Sequence, residues 1–259
     1  MSAEPELDSS WLPHYRRAMA AALDFRRFEV LSFDCFGTLI DFERGVLTAL
    51  RPILERRGVA LSDDELLETY AALKLPIEQS SPFKPFREVL LRTMDSIGRR
   101  FGFEPTPAER SALVDTIGEW PPFPDTVEAL ARLGRHFRLV ILSNVDDDLF
   151  EGTARQLQVP FAAVVTSQQV GSYKPSHANF RFMLERLGLP KERVLHAAQS
   201  LFHDIGPARD LGLTSVWINR RHDRPGFGGT PPGAAEPDFR VPDLRTLADL
   251  VEAELAGEP

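Results

Sequence analysis

A single cysteine, Cys35, in 259 residues rules out an internal disulfide framework and fits a reducing compartment. No run approaches the ~20 apolar residues that span a bilayer, and the acidic start Met1-Ser2-Ala3-Glu4-Pro5-Glu6 lacks the positive flank of a secretory leader. A cytoplasmic protein with no membrane contact is the expectation. Lys and Arg form no cluster and the net charge is −8, which argues against nucleic acid, since phosphate backbones are held by grouped cations. The chain has no internal repeat. What it does have is a 43% hydrophobic, 26% charged composition, enough for one large α/β unit or a core carrying an insert.

Trp11 to Phe28 has the spacing of an amphipathic helix, followed by the apolar run Val30-Leu31-Ser32-Phe33. From Phe42 to about Trp120 the pattern stays helical: Val46, Leu47, Leu50, Ile53 and Leu54 recur at helical spacing, Ser62-Asp63-Asp64-Glu65 reads as an N-terminal cap, and Phe86 to Phe101 carries another stripe. After Pro121-Pro122 strand-like and helical runs alternate as in βαβ units. Strands are predicted at Arg138–Leu142, Ala162–Thr166, Val194–Ala198, Thr214–Ile218 and, more weakly, Phe239–Val241. Helices are predicted at Thr126–Arg135, Asp147–Gln156, Ser176–Leu187 and Pro207–Leu211, and the Gly- and Pro-rich stretch Arg224–Gly233 reads as a surface loop. The division that follows is an extension helix over 1–27, a core over 28–42 and 121–259, and a helical insert over 43–120.

Chemistry-bearing residues gather at the ends of the predicted strands. Asp34 follows the first strand and precedes the turn Gly37-Thr38; standing alone, it would read first as a carboxylate capping that turn. Ser143 and Asn144 end the second strand, Lys174 stands before Pro175 and a predicted helix, and Asp204 follows the fourth strand. In an open parallel sheet such positions converge outside the carboxyl ends of the strands, where ligands bind. A solvated loop lysine is the plain alternative for Lys174. Its ammonium near Asp34 would keep that carboxylate ionised and attract an anionic small-molecule substrate. Cys35, beside Asp34 on a strand, is expected to face away as an inert buried thiol.

Together Phe33-Asp34-Cys35-Phe36-Gly37-Thr38, Leu142-Ser143-Asn144, Lys174-Pro175 and Ala198-Gln199-Ser200-Leu201-Phe202-His203-Asp204 resemble the haloacid dehalogenase (HAD) superfamily, from about Phe28 to Leu250. The resemblance implies a Rossmann-like α/β fold with an inserted helical cap. Phosphatases of that superfamily carry an Asp two places after the nucleophile; Phe36 stands there, as in the 2-haloacid dehalogenase branch. The physical sense is in the leaving group: an alkoxide leaving phosphate benefits from a general acid, whereas halide departs unprotonated. By resemblance Asp34 is the nucleophile, Thr38 orients it, Lys174 and Asp204 assist, and Ser143, Asn144 and Ser200 face the substrate beside Phe36. His203 is a candidate second to these, equally able to point away.

Gln199 occupies the place of an acid that ligates Mg²⁺ in the phosphatases, so a metal-independent site is expected; the alternative has Asp34, Asp204 and the Phe36 carbonyl holding Mg²⁺. The family's halide-binding arginine has no counterpart between Arg57 and Arg87, which leaves Lys74, Lys84 and Arg87 as nearby cations and a surface salt bridge as the equal alternative for Arg87. Phe180 replaces a family tyrosine. The expected activity is hydrolytic displacement, of halide or by opening a strained ring, at a small 2-substituted carboxylic acid. The alternatives are a Mg²⁺-dependent phosphatase and a non-catalytic binding protein. Relatives commonly dimerise, so a homodimer belongs to the same expectation.

Overall fold

Six short apolar runs hydrogen-bond into one parallel sheet: β1 (Val30–Phe33), β2 (Arg138–Ser143), β3 (Ala163–Thr166), β4 (Val194–Ala198), β5 (Thr214–Ile218) and β6 (Phe239–Val241), ordered 3-2-1-4-5-6. The computed structural model describes residues 23–221, 224 and 226–257. Nearly continuous Val, Ile, Leu and Ala in β1, β2 and β4 follow from burial on both faces of a parallel sheet. β1 lies between β2 and β4 with Ser32 opposite Val140 and His196. The strand order reverses at β1, so the residues after it open onto the crevice where open α/β sheets bind ligands.

Of the five α-helices between β1 and β2, the first four make up the insert: α1 (Phe42–Arg56), α2 (Asp63–Glu78), α3 (Phe86–Phe101) and α4 (Pro107–Thr116). Their ends are set locally. Ser62 and Glu65 form a capping box on α2, Thr106 and Glu109 one on α4, and Asp41 accepts from the Arg44 N–H at the start of α1. Each such cap contributes about 1 kcal/mol. Leu50 and Ile53 of α1, Leu67 and Tyr70 of α2, and Leu90, Met94 and Ile97 of α3 are buried together in a core continuous with that of the sheet. The insert is tied to the sheet by Asp146, whose carboxylate accepts the Phe86 N–H at 2.7 Å and the Arg87 N–H at 2.8 Å.

The remaining helices flank the sheet: α5 (Thr126–Leu133), α6 (Asp147–Leu157), α7 (Ser167–Val170), α8 (His177–Leu187), α9 (Gly206–Leu211) and α10 (Leu244–Ala256). The expected Gly- and Pro-rich loop contains no helix or strand in its described part. The helix expected over 11–28 lies outside the described residues as far as 22. Phe25–Arg27 form a single 3-10 turn capped by Asp24, and Phe28 is already extended, so helix does not run into β1. One turn of π-helix, Leu201–Ile205, leads into α9 and carries Asp204. Among the described residues no helix is long and apolar enough to cross a membrane.

Candidate active site

The turn after β1 places Asp34. Gly37 takes a φ of 98°, which a side chain would strain, and the backbone N–H groups of Thr38, Leu39 and Ile40 all reach back to the Cys35 carbonyl. This folds Thr38 over the strand end, where its hydroxyl donates to Asp34 Oδ2 at 2.7 Å and accepts the Gln199 N–H at 2.9 Å. Arg220 fixes the same turn from behind, donating to the Thr38 carbonyl at 3.0 Å while paired with Asp125 at 2.7 Å. Cys35 is fully buried and burial pushes its thiol well above the usual range, so it stays a thiol.

Lys174 reaches the same point from the loop before α8. Its Nζ donates to Asp34 Oδ1 at 2.9 Å, to the Leu142 carbonyl at 2.8 Å and to Asp204 Oδ1 at 2.6 Å, which uses all its N–H bonds. Asn144 holds the lysine in place with both ends of its amide, accepting from Lys174 N at 2.8 Å and donating to Lys174 O at 3.1 Å. Asp204 also accepts from His196 Nε2 at 3.1 Å, and His196 Nδ1 lies 2.9 Å from the Ser32 hydroxyl. Ser32 through Thr38 is therefore one buried polar chain linking β1, β4 and the loops between them.

Its charges are unevenly held. Burial pushes the Asp34 carboxyl above the ordinary aspartate range, against the pull of Lys174 and with Asp204 adding to the rise. Burial would raise Asp204 too, but Lys174 and His196 outweigh it and hold Asp204 below that range. Burial opposes the charge on Lys174, yet Asp204 and Asp34 keep the ammonium above its ordinary value and therefore protonated.

Asp34 opens on a cavity of about 60 Å³. A single ordered water needs about 10–15 Å³ of such space, so the cavity has room for several waters or a small molecule. Asp34, Phe36, Ser143, Asn144, Lys174, Ser200, His203 and Asp204, all expected near the site, line this cavity. The Ser143 hydroxyl and Asp204 Oδ2 are buried without a hydrogen-bond partner. Asn144 is spent on Lys174, and Ser200 accepts the His203 N–H at 2.9 Å while its hydroxyl lies 3.1 Å from His203 Nδ1. Burial first, then the Lys74 ammonium, push His203 down to about 3, which leaves the imidazole neutral. Phe180 is packed edge-on to His196 at 5.4 Å and lies outside the cavity lining.

Two expected contributors are elsewhere. Arg87 and Lys84 do not line the cavity. Asp146 takes the backbone at the start of α3, and the Arg87 guanidinium turns outward onto Asp148, both half exposed. Lys84 donates to Ser80 Oγ at 2.7 Å and to the Pro82 carbonyl at 3.1 Å. The cation that the insert brings to the cavity wall is Lys74 of α2, paired with Glu78 at 2.9 Å and standing 5.9 Å and 5.8 Å from the ring centres of Tyr70 and Phe86. Phe42, Tyr70, Trp120, Gly229 and Thr230 complete the walls. His196 was legible as a polar residue inside an apolar strand, where burial demands a partner; Tyr70, Gly229 and Thr230 carry no such local signal.

Known proteins sharpen this geometry. The family model described as haloacid dehalogenase-like hydrolase matches residues 28–212. An (S)-2-haloacid dehalogenase of Pseudomonas putida is 26% identical over 204 residues, covering 76% of this chain and 87% of that protein. The pyrimidine 5'-nucleotidase YjjG of Escherichia coli (strain K12) is 24% identical over 231 residues, covering 87% of this chain and 98% of that protein. The crystal structure of the L-2-haloacid dehalogenase PA0810 superposes with a TM-score of 0.74 at 23% identity, over 89% of this chain and all of that one, a likeness of fold. A match running from β1 through α9 takes in Asp34, Lys174 and Asp204 alike, and the chain belongs to the haloacid dehalogenase-like hydrolases.

Proposed function

We propose that this hydrolase displaces halide from the 2-carbon of a small carboxylic acid by way of an aspartyl ester. The observation that carries the reading is the Lys174 ammonium shared by Asp34 and Asp204 beside a cavity of about 60 Å³, with Phe36 where a phosphatase would place its acid. Asp34 attacks the carbon and the halide leaves with the bonding pair; no proton is required. Water then adds to the ester carbonyl, releases the hydroxy acid and regenerates Asp34. Asp204 Oδ2, unpartnered and held ionised, receives the proton of that water. The free Ser143 hydroxyl meets the substrate carboxylate, and the insert acts as a cap whose Lys74 faces the departing anion. The name of the Pseudomonas putida relative supports this chemistry.

The same reading needs no metal. Mg²⁺ prefers several carboxylate oxygens and waters. Here Asp34 Oδ2 is held by Thr38, one oxygen of each aspartate is held by Lys174, and Gln199 offers a neutral amide whose oxygen accepts from Thr230 at 3.2 Å. The donor set does not fit the ion. The free, buried Cys35 suits a cytoplasmic setting. A phosphatase is the second reading, favoured by the nucleotidase relative that aligns over 98% of its length.

Chloride release from each enantiomer of 2-chloropropionate, with and without EDTA and beside Asp34→Asn, separates the two. Release that survives EDTA and disappears in the variant is the expected result. Phosphate release from small esters that EDTA abolishes, with no halide release, would replace this reading with the second.

A further inference from the structure

Lys74 brings a positive charge to the cavity from the insert, and one turn further along α2 Glu78 holds it at 2.9 Å. Both side chains are largely out of solvent, Lys74 13% and Glu78 2% exposed. Glu78 is the last residue of α2, where unpaired carbonyls already give the helix end a negative potential, and an acid four places after a lysine is the weaker order for such a pair. Helix stability alone favours the reverse placement. The two residues also face different spaces. Lys74 lines the inner cavity beside Asp34, whereas Glu78 lines a second recess of about 280 Å³ with Leu75, Gln79, Ser81 and Tyr173, where Gln79 and Ser81 are exposed. The ammonium thus stands between the space in which a leaving anion forms and a carboxylate on its solvent side. Both charges act on the cavity: burial and then Lys74 push the His203 imidazole down, and burial and then Glu78 push the Tyr70 phenol up.

An unshared ammonium on a wall of aromatic rings would hold a desolvated halide strongly, because opposite charges attract more where water is excluded. Such an ammonium helps the carbon–halide bond to break and then retains the product, which blocks the next turnover. A carboxylate that shares the ammonium weakens the hold without removing the charge. We propose, on the reading that Asp34 displaces halide, that Glu78 is a positioning residue for release: it competes with the departing halide for Lys74, so that the anion leaves once the aspartyl ester has formed. Glu78 makes and breaks no covalent bond in this role. The ammonium turns to the halide as the carbon–halide bond breaks and returns to Glu78 as the halide departs.

The test compares wild-type protein, Glu78→Gln and the double variant Lys74→Gln/Glu78→Gln. An amide in place of the carboxylate keeps the chain length and an acceptor for Lys74 while removing the charge. Bromide binding is read from bromine NMR line broadening. Turnover of each enantiomer of 2-bromopropionate gives the first-turnover rate, the steady-state rate and the inhibition by added bromide. Expected for Glu78→Gln are bromide binding and bromide inhibition about tenfold tighter, a first turnover within about threefold of wild type, and a slower steady state. The double variant should lose that gain. A purely structural Glu78 predicts the opposite sign, a loosened Lys74 and weaker bromide binding. Unchanged or weaker bromide affinity in folded Glu78→Gln, or a gain that persists in the double variant, overturns the inference and leaves the proposed function standing. Wild-type protein that releases no halide from either enantiomer overturns the proposed function and this role with it. Should Glu78→Gln fail to fold, Glu78→Asp, which draws the carboxylate back by one methylene, decides by the same sign.

Discussion

The two walls of the cavity hold their polar groups very differently. At the sheet edge, Lys174, Asp34, Asp204, His196 and Thr38 lie at hydrogen-bond distances of 2.6 to 3.1 Å, and every N–H of the lysine is used. On the insert side the wall is Phe42, Phe86, Tyr70 and one ammonium, that of Lys74. A closed, buried network fixes geometry, and loss of the cation its members share leaves uncompensated charge. An apolar wall with one cation sets shape and can change by degrees. On the proposed function, the strand ends would set the reaction type and the helices between β1 and β2 the choice of substrate.

The contrast predicts a gradient of effects. Lys174→Met should do the most harm: two buried carboxylates lose their shared cation, at a cost of about 3–5 kcal/mol in urea unfolding, with activity gone. Asp34→Asn should cost at least about 10⁴-fold in turnover and little stability, since Asp204 still pairs with Lys174. A stability loss as large as that of Lys174→Met would erase the distinction between chemistry and scaffold.

Acid sharpens the contrast inside the network. Asp34, raised by burial, must be ionised to attack, so activity should fall with pH from above the ordinary aspartate range. Its own contribution to stability runs the other way, present below that range and lost as pH rises through its folded value. Asp204 is lowered, so the stability it lends is present above the ordinary range and is lost only when pH falls through its lower folded value. Activity should therefore disappear on acidification before near-UV circular dichroism changes; coincident loss would contradict the assignment.

Gly229→Ala tests the softer wall. An added methyl would stand 2.7 Å from the ring of Phe42, a wall residue of the cavity that must then shift, so KM should rise about tenfold with stability nearly unchanged. Arg87→Ala is the smallest: an exposed pair with Asp148 should matter by less than about 0.5 kcal/mol and less than about twofold in rate.

Strands were the most legible elements. Val194–Ala198, Thr214–Ile218 and Phe239–Val241 stand where their apolar runs end, and β2 extends one residue past expectation to Ser143. Parallel strands buried on both faces leave an apolar signature bounded by polar residues, and the same boundaries marked Asp34, Ser143 and Asp204. Of the three cations named from the sequence, Lys74 lines the cavity and Lys84 and Arg87 do not, because proximity in sequence does not give a side chain's direction: Arg87 begins a helix whose backbone is taken by Asp146, and its guanidinium turns outward onto Asp148. Gly229 and Thr230 were hidden in a stretch with no periodicity. They reach the cavity through distant contacts: Gly229 N–H to Glu43 at 3.0 Å, and the Thr230 hydroxyl to Gln199.

The central claim is that Asp34 attacks carbon. A single turnover of 2-chloropropionate by excess enzyme in oxygen-18 water, followed by mass spectrometry of the peptide carrying Asp34, tests it most directly. The account predicts the label in the Asp34 carboxylate and unlabelled lactate in that first turnover, because water enters at the ester carbonyl. Labelled lactate with an unlabelled peptide would mean that water attacks the carbon itself and that Asp34 is not the nucleophile.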